Sequence, residues 1–209
     1  MKNTKLIIAM AAALCLASCD FGKPGTNEET PAVDTIGTVV SNEADDMAVT
    51  IYEDGLSGMD FGSEIPETMP GYTIEQQTYM AEGEEQVKYA VKKGDELVME
   101  IEPGFDFGTM EFTKTVEVIN IYSDRYHNSK HFHVGSNANE VLAAYPDLVT
   151  SLTADGDICM DLGGTQFMVS TKDYDGKLPE VTSDEGALIA HPTFKPDAKV
   201  KMIRLYNAK

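Results

Sequence analysis

Val87-Lys88-Tyr89-Ala90-Val91 and Glu96-Leu97-Val98-Met99-Glu100-Ile101, joined through Lys93-Gly94-Asp95, form the stretch that decides the fold. Val87, Tyr89 and Val91 alternate with smaller or polar neighbours, and Leu97, Met99 and Ile101 do the same. Successive side chains on a strand point to opposite faces, so each set falls on one face. Gly94 suits the turn because glycine enters positive φ without a Cβ penalty. The pattern predicts a half-buried antiparallel pair.

The same period recurs outward in both directions. Residues 48–52 and 72–80 read as strands, separated by the turn chemistry of Asp54-Gly55-Leu56-Ser57-Gly58. Residues 116–122 are apolar except at Glu117 and Asn120, which predicts a central strand. Residues 158–162 and 166–170 form a second hairpin across Gly163-Gly164, and 199–205 a closing strand. Only one segment changes period: Asn137 followed by Glu140 predicts a reciprocally capped helix start, Val141, Leu142 and Tyr145 share a helical face, and Pro146 stops it. The loop at 171–198, with Pro179, Pro192 and Pro196, is expected to run over the surface. The expectation is a single α+β domain over 47–209, a mostly antiparallel sheet with one main helix near 137–145.

Residues 1–18 read differently. Lys2 and Lys5 precede an apolar run at 6–16, and Leu16-Ala17-Ser18-Cys19 closes it with small residues and a cysteine. That is the layout of a lipoprotein signal peptide with its lipid-attachment box, too short to span a bilayer. Cys19 is the predicted lipidation site. Several acyl chains at about 0.8 kcal/mol per buried methylene hold a protein at a membrane where one chain would not. Residues 20–46, rich in Pro, Gly, Thr, Asn, Asp and Glu, read as a disordered acidic tether spanning roughly 30 Å. The expected location is the bacterial cell envelope, the expected partners a membrane and an envelope protein or ligand.

Loss of the signal removes Lys2 and Lys5, leaving 14 basic against 35 acidic residues and moving the formal charge from −19 to −21. Such a balance excludes nucleic acid as a partner, since phosphate binding relies on Lys and Arg displacing counterions. It suits solubility, or attraction for cations and basic partners if a site exists. Of three cysteines, Cys15 leaves with the signal and Cys19 takes the lipid, so Cys159 remains as a thiol expected to be buried.

His127, His131 and His133 are the candidate metal-binding constellation, with His131 and His133 expected on one strand face and zinc or copper as the divalent metal. Asp173-Tyr174-Asp175-Gly176 has the middle of a calcium loop, but Thr171 and Thr182 stand where its end carboxylates belong, which argues against an EF-hand. The chain contains no nucleophile elbow, HExxH helix or P-loop. A non-enzymatic binding or envelope-maintenance role without a cofactor is therefore expected. The alternatives are a metal-binding protein using the histidines and, less favoured, a hydrolase with an acidic dyad.

Val118-Ile119-Asn120-Ile121-Tyr122-Ser123-Asp124-Arg125-Tyr126, then His133-Val134-Gly135-Ser136 and Glu140-Val141-Leu142-Ala143-Ala144-Tyr145, resemble the RpoE-regulated lipoproteins, a bacterial domain family of unknown function. The shared pattern is a strand, an S-x-x-Y turn, a VG-S/T stretch and a helix ending near an aromatic residue, with Lys93-Gly94-Asp95 matching a hairpin turn upstream. The resemblance implies an envelope lipoprotein and brings no catalytic residues. Physically the motif reads as scaffold: Gly94 and Gly135 in turns, Ser136 and Asn137 at the helix N–H groups, Tyr145 packing the helix on the sheet.

Overall fold

The computed structural model describes residues 50–208 apart from Asp54, Ser57, Glu82 and 182–185. The signal, Cys19 and the tether lie outside the described residues. Among the described residues, twelve strands and one α-helix follow in order. β1 (Ile51–Tyr52), β2 (Gly55–Leu56) and β3 (Met59–Asp60) make a small three-stranded meander. The main sheet has nine strands in the order β11-β8-β9-β10-β12-β7-β6-β5-β4. Its members are β4 (Thr73–Ala81), β5 (Glu84–Lys93), β6 (Glu96–Asp106), β7 (Glu111–Ile121), β8 (Val149–Leu152), β9 (Asp157–Asp161), β10 (Thr165–Ser170), β11 (Ala187–Leu188) and β12 (Val200–Tyr206). Every pairing in it is antiparallel.

The two faces of this sheet follow from register. Val91, Met99, Ile121, Ile203, Phe167, Met160 and Thr150 lie opposite one another from β5 to β8 and form one buried row. One residue over, Ala90, Glu100, Asn120, Arg204, Gln166, Asp161 and Val149 form the next row, on the opposite face. A pleat of period two gives the core to the first row and the outward surface to the second. The inner row packs with Ile51, Leu56 and Met59 of the meander, Tyr126, Val141 of the helix, and Ile189, Phe194 and Ala198 in one cluster.

The α+β expectation is corrected to a mostly antiparallel β protein. α1 (Ala138–Ala144) has seven residues and buries only Ala138 and Val141. A helix that short does not hold itself, since isolated helices below about 12–15 residues are marginal in water. The layer over the sheet is built instead from the meander and from irregular chain. Loop 171–198 is part of that layer: it contains a 3-10 turn (Thr171–Asp173) and β11, and places Phe194 and Ala198 in the core. It does not simply run over the surface.

Two strands also reach beyond their expected ends. β6 continues past Ile101 through Pro103 and Gly104 to Asp106, with register shifts between Glu102 and Phe105. Proline cannot donate to a ladder, and the bulge accommodates it without ending the strand. β7 starts at Glu111, five residues before the apolar run. β8 follows α1 where no strand was expected.

Candidate functional site

The outward face carries two groups of linked polar side chains. Lys88 Nζ lies 2.6 Å from Glu100 Oε1, and Tyr122 Oη donates to Glu100 Oε2 at 2.8 Å. Asn120 Nδ2 donates to Glu102 Oε1 at 2.6 Å, and Arg204 Nη2 lies 3.3 Å from Glu102 Oε2. Burial first, then donation to ionised Glu100, raises the Tyr122 hydroxyl pKa well above 10.0, so this proton stays put through the physiological range.

At the β8 end the row opens into a groove of about 750 Å³. Ser151, Cys159 and Gln166 contribute to it from β8, β9 and β10, with Tyr206 beside them on β12. Asp161 is the fixed point. Its Oδ2 accepts from Gln166 Nε2 at 2.9 Å and from Tyr206 Oη at 2.8 Å, while Oδ1 accepts from the Gly163 amide at 2.7 Å. The Gly163-Gly164 turn makes this possible: both glycines have positive φ, and a Cβ on Gly164 would sit 3.3 Å from the Tyr206 carbonyl oxygen. Val149 (54% exposed) and Leu162 (37%) give the groove an apolar wall beside Asp161 and Asp147. Cys159 is buried, and desolvation followed by the negative Asp161 pushes its thiol pKa up to about 12. A thiol so held is no nucleophile at neutral pH, because the thiolate is the reactive species.

The histidines sit elsewhere, in the irregular chain between β7 and α1. His131 and His133 do not share a strand face; His133 pairs instead with His127 across an isolated antiparallel bridge. Asn128 organises this loop: its Oδ1 accepts from the amides of Lys130 and Phe132, both at 3.0 Å, and its carbonyl accepts from the His131 amide at 2.8 Å. The tight closure puts His131 at φ 63, which breaks the alternation that a strand would have imposed. The His127 and His131 rings lie with centroids 5.2 Å apart, while His133 Nδ1 is 2.7 Å from the Val134 carbonyl oxygen. Among the described residues no three His, Cys, Asp or Glu side chains are grouped to hold a metal ion.

The motif residues act as joints. Gly94 turns β5 into β6 at φ 62. The Gly135 amide donates to the Val200 carbonyl at 2.8 Å, and Ser136 Oγ accepts from the His133 amide rather than from the helix. Asn137 Oδ1 caps the helix, accepting from the Asn139 amide at 2.9 Å and the Glu140 amide at 3.4 Å. Tyr145 packs against Phe132 and Phe167, with centroids at 5.8 and 6.2 Å, and accepts at its hydroxyl from Asn128 Nδ2 at 2.8 Å. Lys130 Nζ sits 4.0 Å above the Tyr145 ring and donates to the Ala144 carbonyl at 2.7 Å, joining a cation–π contact to a favourable charge at the helix C-terminus.

Sequence reading missed Asp161, Gln166 and Tyr206 as a unit. Gln166 and Asp161 flank the predicted Gly163-Gly164 hairpin, so their meeting was the legible half. Tyr206 joins through the β10–β12 register, which no local pattern encodes.

No family model and no curated protein matches this chain. Among solved structures it resembles the uncharacterized protein yfeY from Escherichia coli, with a TM-score of 0.51 and 15% sequence identity over 76% of this chain and 99% of that one. At that identity the likeness is one of fold.

Proposed function

We propose that this protein is a non-enzymatic, lipid-anchored lipoprotein of the bacterial envelope that binds a ligand or partner in the groove over β8, β9, β10 and β12. The observation that carries the binding role is the groove itself: a concave site of about 750 Å³ with an apolar wall beside a carboxylate fixed by three hydrogen bonds. A non-catalytic role is supported by the absence, along this groove, of a histidine beside the shielded Cys159 thiol. The anchor rests on the Leu16-Ala17-Ser18-Cys19 signal. Membership of the RpoE-regulated lipoprotein family is part of the same reading, supported by the 118–145 motif and by the fold shared with the E. coli protein. No helix among the described residues is long and apolar enough to cross a membrane.

One experiment addresses both halves. A photo-crosslinking amino acid at Leu162, on the groove rim, is expected to give a discrete adduct in native envelopes, while the same group at exposed Met80 gives none. In the Cys19→Ala background the protein is expected to lose acylation and remain an unprocessed precursor. Equal labelling from both positions would refute the groove, and a mature acylated Cys19→Ala species would refute the anchor.

A further inference from the structure

The groove carries three carboxylates, Asp147, Asp155 and Asp161, and no lysine, arginine or histidine. Four acids on and around the outward face are paired with a base: Glu75 with Lys92, Glu100 with Lys88, Glu102 with Arg204 and Asp157 with Lys201. Asp161 is held by neutral donors only, so its orientation is fixed while its charge is left uncancelled. The three carboxylates are spread along the groove rather than clustered. Asp147 and Asp161 flank the Val149 end, and Asp155 lies in the turn after β8 at the other. β9, which ends at Asp161, has five residues, about 17 Å of extended chain.

We propose that the occupant is an extended basic segment of a partner protein, bearing cationic side chains at both ends of a run of about five residues and an apolar side chain against Val149 and Leu162. This rests on the groove being the ligand site and adds the chemical class. The separation of the carboxylates argues against a metal ion, which needs its ligands within one coordination sphere. The apolar wall argues against a purely hydrophilic cation such as a polyamine. Complementary charge supplies orientation and a salt-dependent association rate, while the wall supplies the contact that water cannot replace.

The probe, the Lys-Leu peptide, is the fluorescein-labelled heptapeptide Gly-Lys-Ser-Leu-Ser-Lys-Gly, whose Lys and Leu side chains share one face of an extended chain; it is titrated into the mature acylated chain in detergent, with Ser-Leu and Glu-Leu peptides that replace both lysines, and spermidine, as comparisons. The Lys-Leu peptide is expected to bind at least about tenfold more tightly than the others, and more weakly as salt rises. Asp147→Asn/Asp155→Asn is expected to weaken it by about tenfold, and Glu84→Gln/Glu85→Gln, which removes equal charge from a remote hairpin, by less than about twofold. If Ser-Leu binds as well as Lys-Leu and Leu162→Asp abolishes both, the groove stands and the basic class is wrong. Spermidine matching the peptide would likewise overturn the class. If no probe binds, or the remote pair weakens binding as much as the groove pair, both the class and the site fall.

Discussion

Phe167→Ala is expected to destabilise the protein by about 3–5 kcal/mol, the cost of emptying a fully buried aromatic site that cannot collapse. Phe167 is 0% exposed and lies in the inner row between Ile203 and Met160. Its ring meets Tyr145 at 6.2 Å and Phe132 at 6.5 Å, so it is where sheet, helix end and histidine loop come together. Removing it strips contacts from sheet, helix end and histidine loop together. For a domain of this size each kcal/mol moves Tm by about 2–4 °C, so a fall of roughly 6–20 °C is expected in thermal unfolding. Phe167→Leu, which keeps most of the volume, should cost less than half as much. A fall below about 1 kcal/mol for the alanine variant would show that this layer is not the core.

Stability is also expected to collapse on the alkaline side. Burial, with Asp161 adding to it, pushes Cys159 up from 9.0 to about 12. Burial is also the leading cause that raises Tyr122 and Tyr126 above 10.0, followed by hydrogen bonds to Glu100 and to Tyr72. Each group holds its proton in the fold at pH values where the unfolded chain releases it. A raised folded pKa gives stability that is complete below the unfolded value and lost as pH climbs through the folded one. The unfolding free energy should therefore hold level to about pH 9, fall as thiols ionise in the unfolded chain, and fall more steeply above pH 10 with the tyrosines. Cys159→Ala should remove the part that begins near pH 9 and leave the tyrosine part intact. A free energy unchanged to pH 11 in denaturant titrations would contradict the burial of all three.

The parts of this fold that could be read from sequence are those written in neighbouring residues. The β5–β6 alternation, the Gly163-Gly164 hairpin and the Asn137 cap each depend on side chains a few positions apart, and each is where its pattern put it except at Leu97, which a bulge at Val98 pairs with Lys92 on the other face. What escaped was decided at longer range. A seven-residue helix has the same cap and stop as a long one, so its signature could not show that irregular chain, not helices, covers the sheet. β6 runs past Ile101 because a bulge absorbs Pro103, and such a bulge leaves no local mark in the sequence. His131 and His133 have the spacing of one strand face, but Asn128 closes the loop between them and turns His131 to positive φ. The groove was partly visible: Asp161 and Gln166 bracket a hairpin that the sequence shows, whereas Tyr206 reaches them from 45 positions away through strand register.

That groove is the claim on which the functional reading depends, and amide NMR shift mapping tests it most directly. On addition of the Lys-Leu heptapeptide to the isotope-labelled mature chain, the largest shifts are predicted at Val149, Ser151, Cys159, Leu162 and Gln166, with β4, β5 and the histidine loop unmoved. Shifts centred on any other surface, or none at saturating peptide, would contradict it.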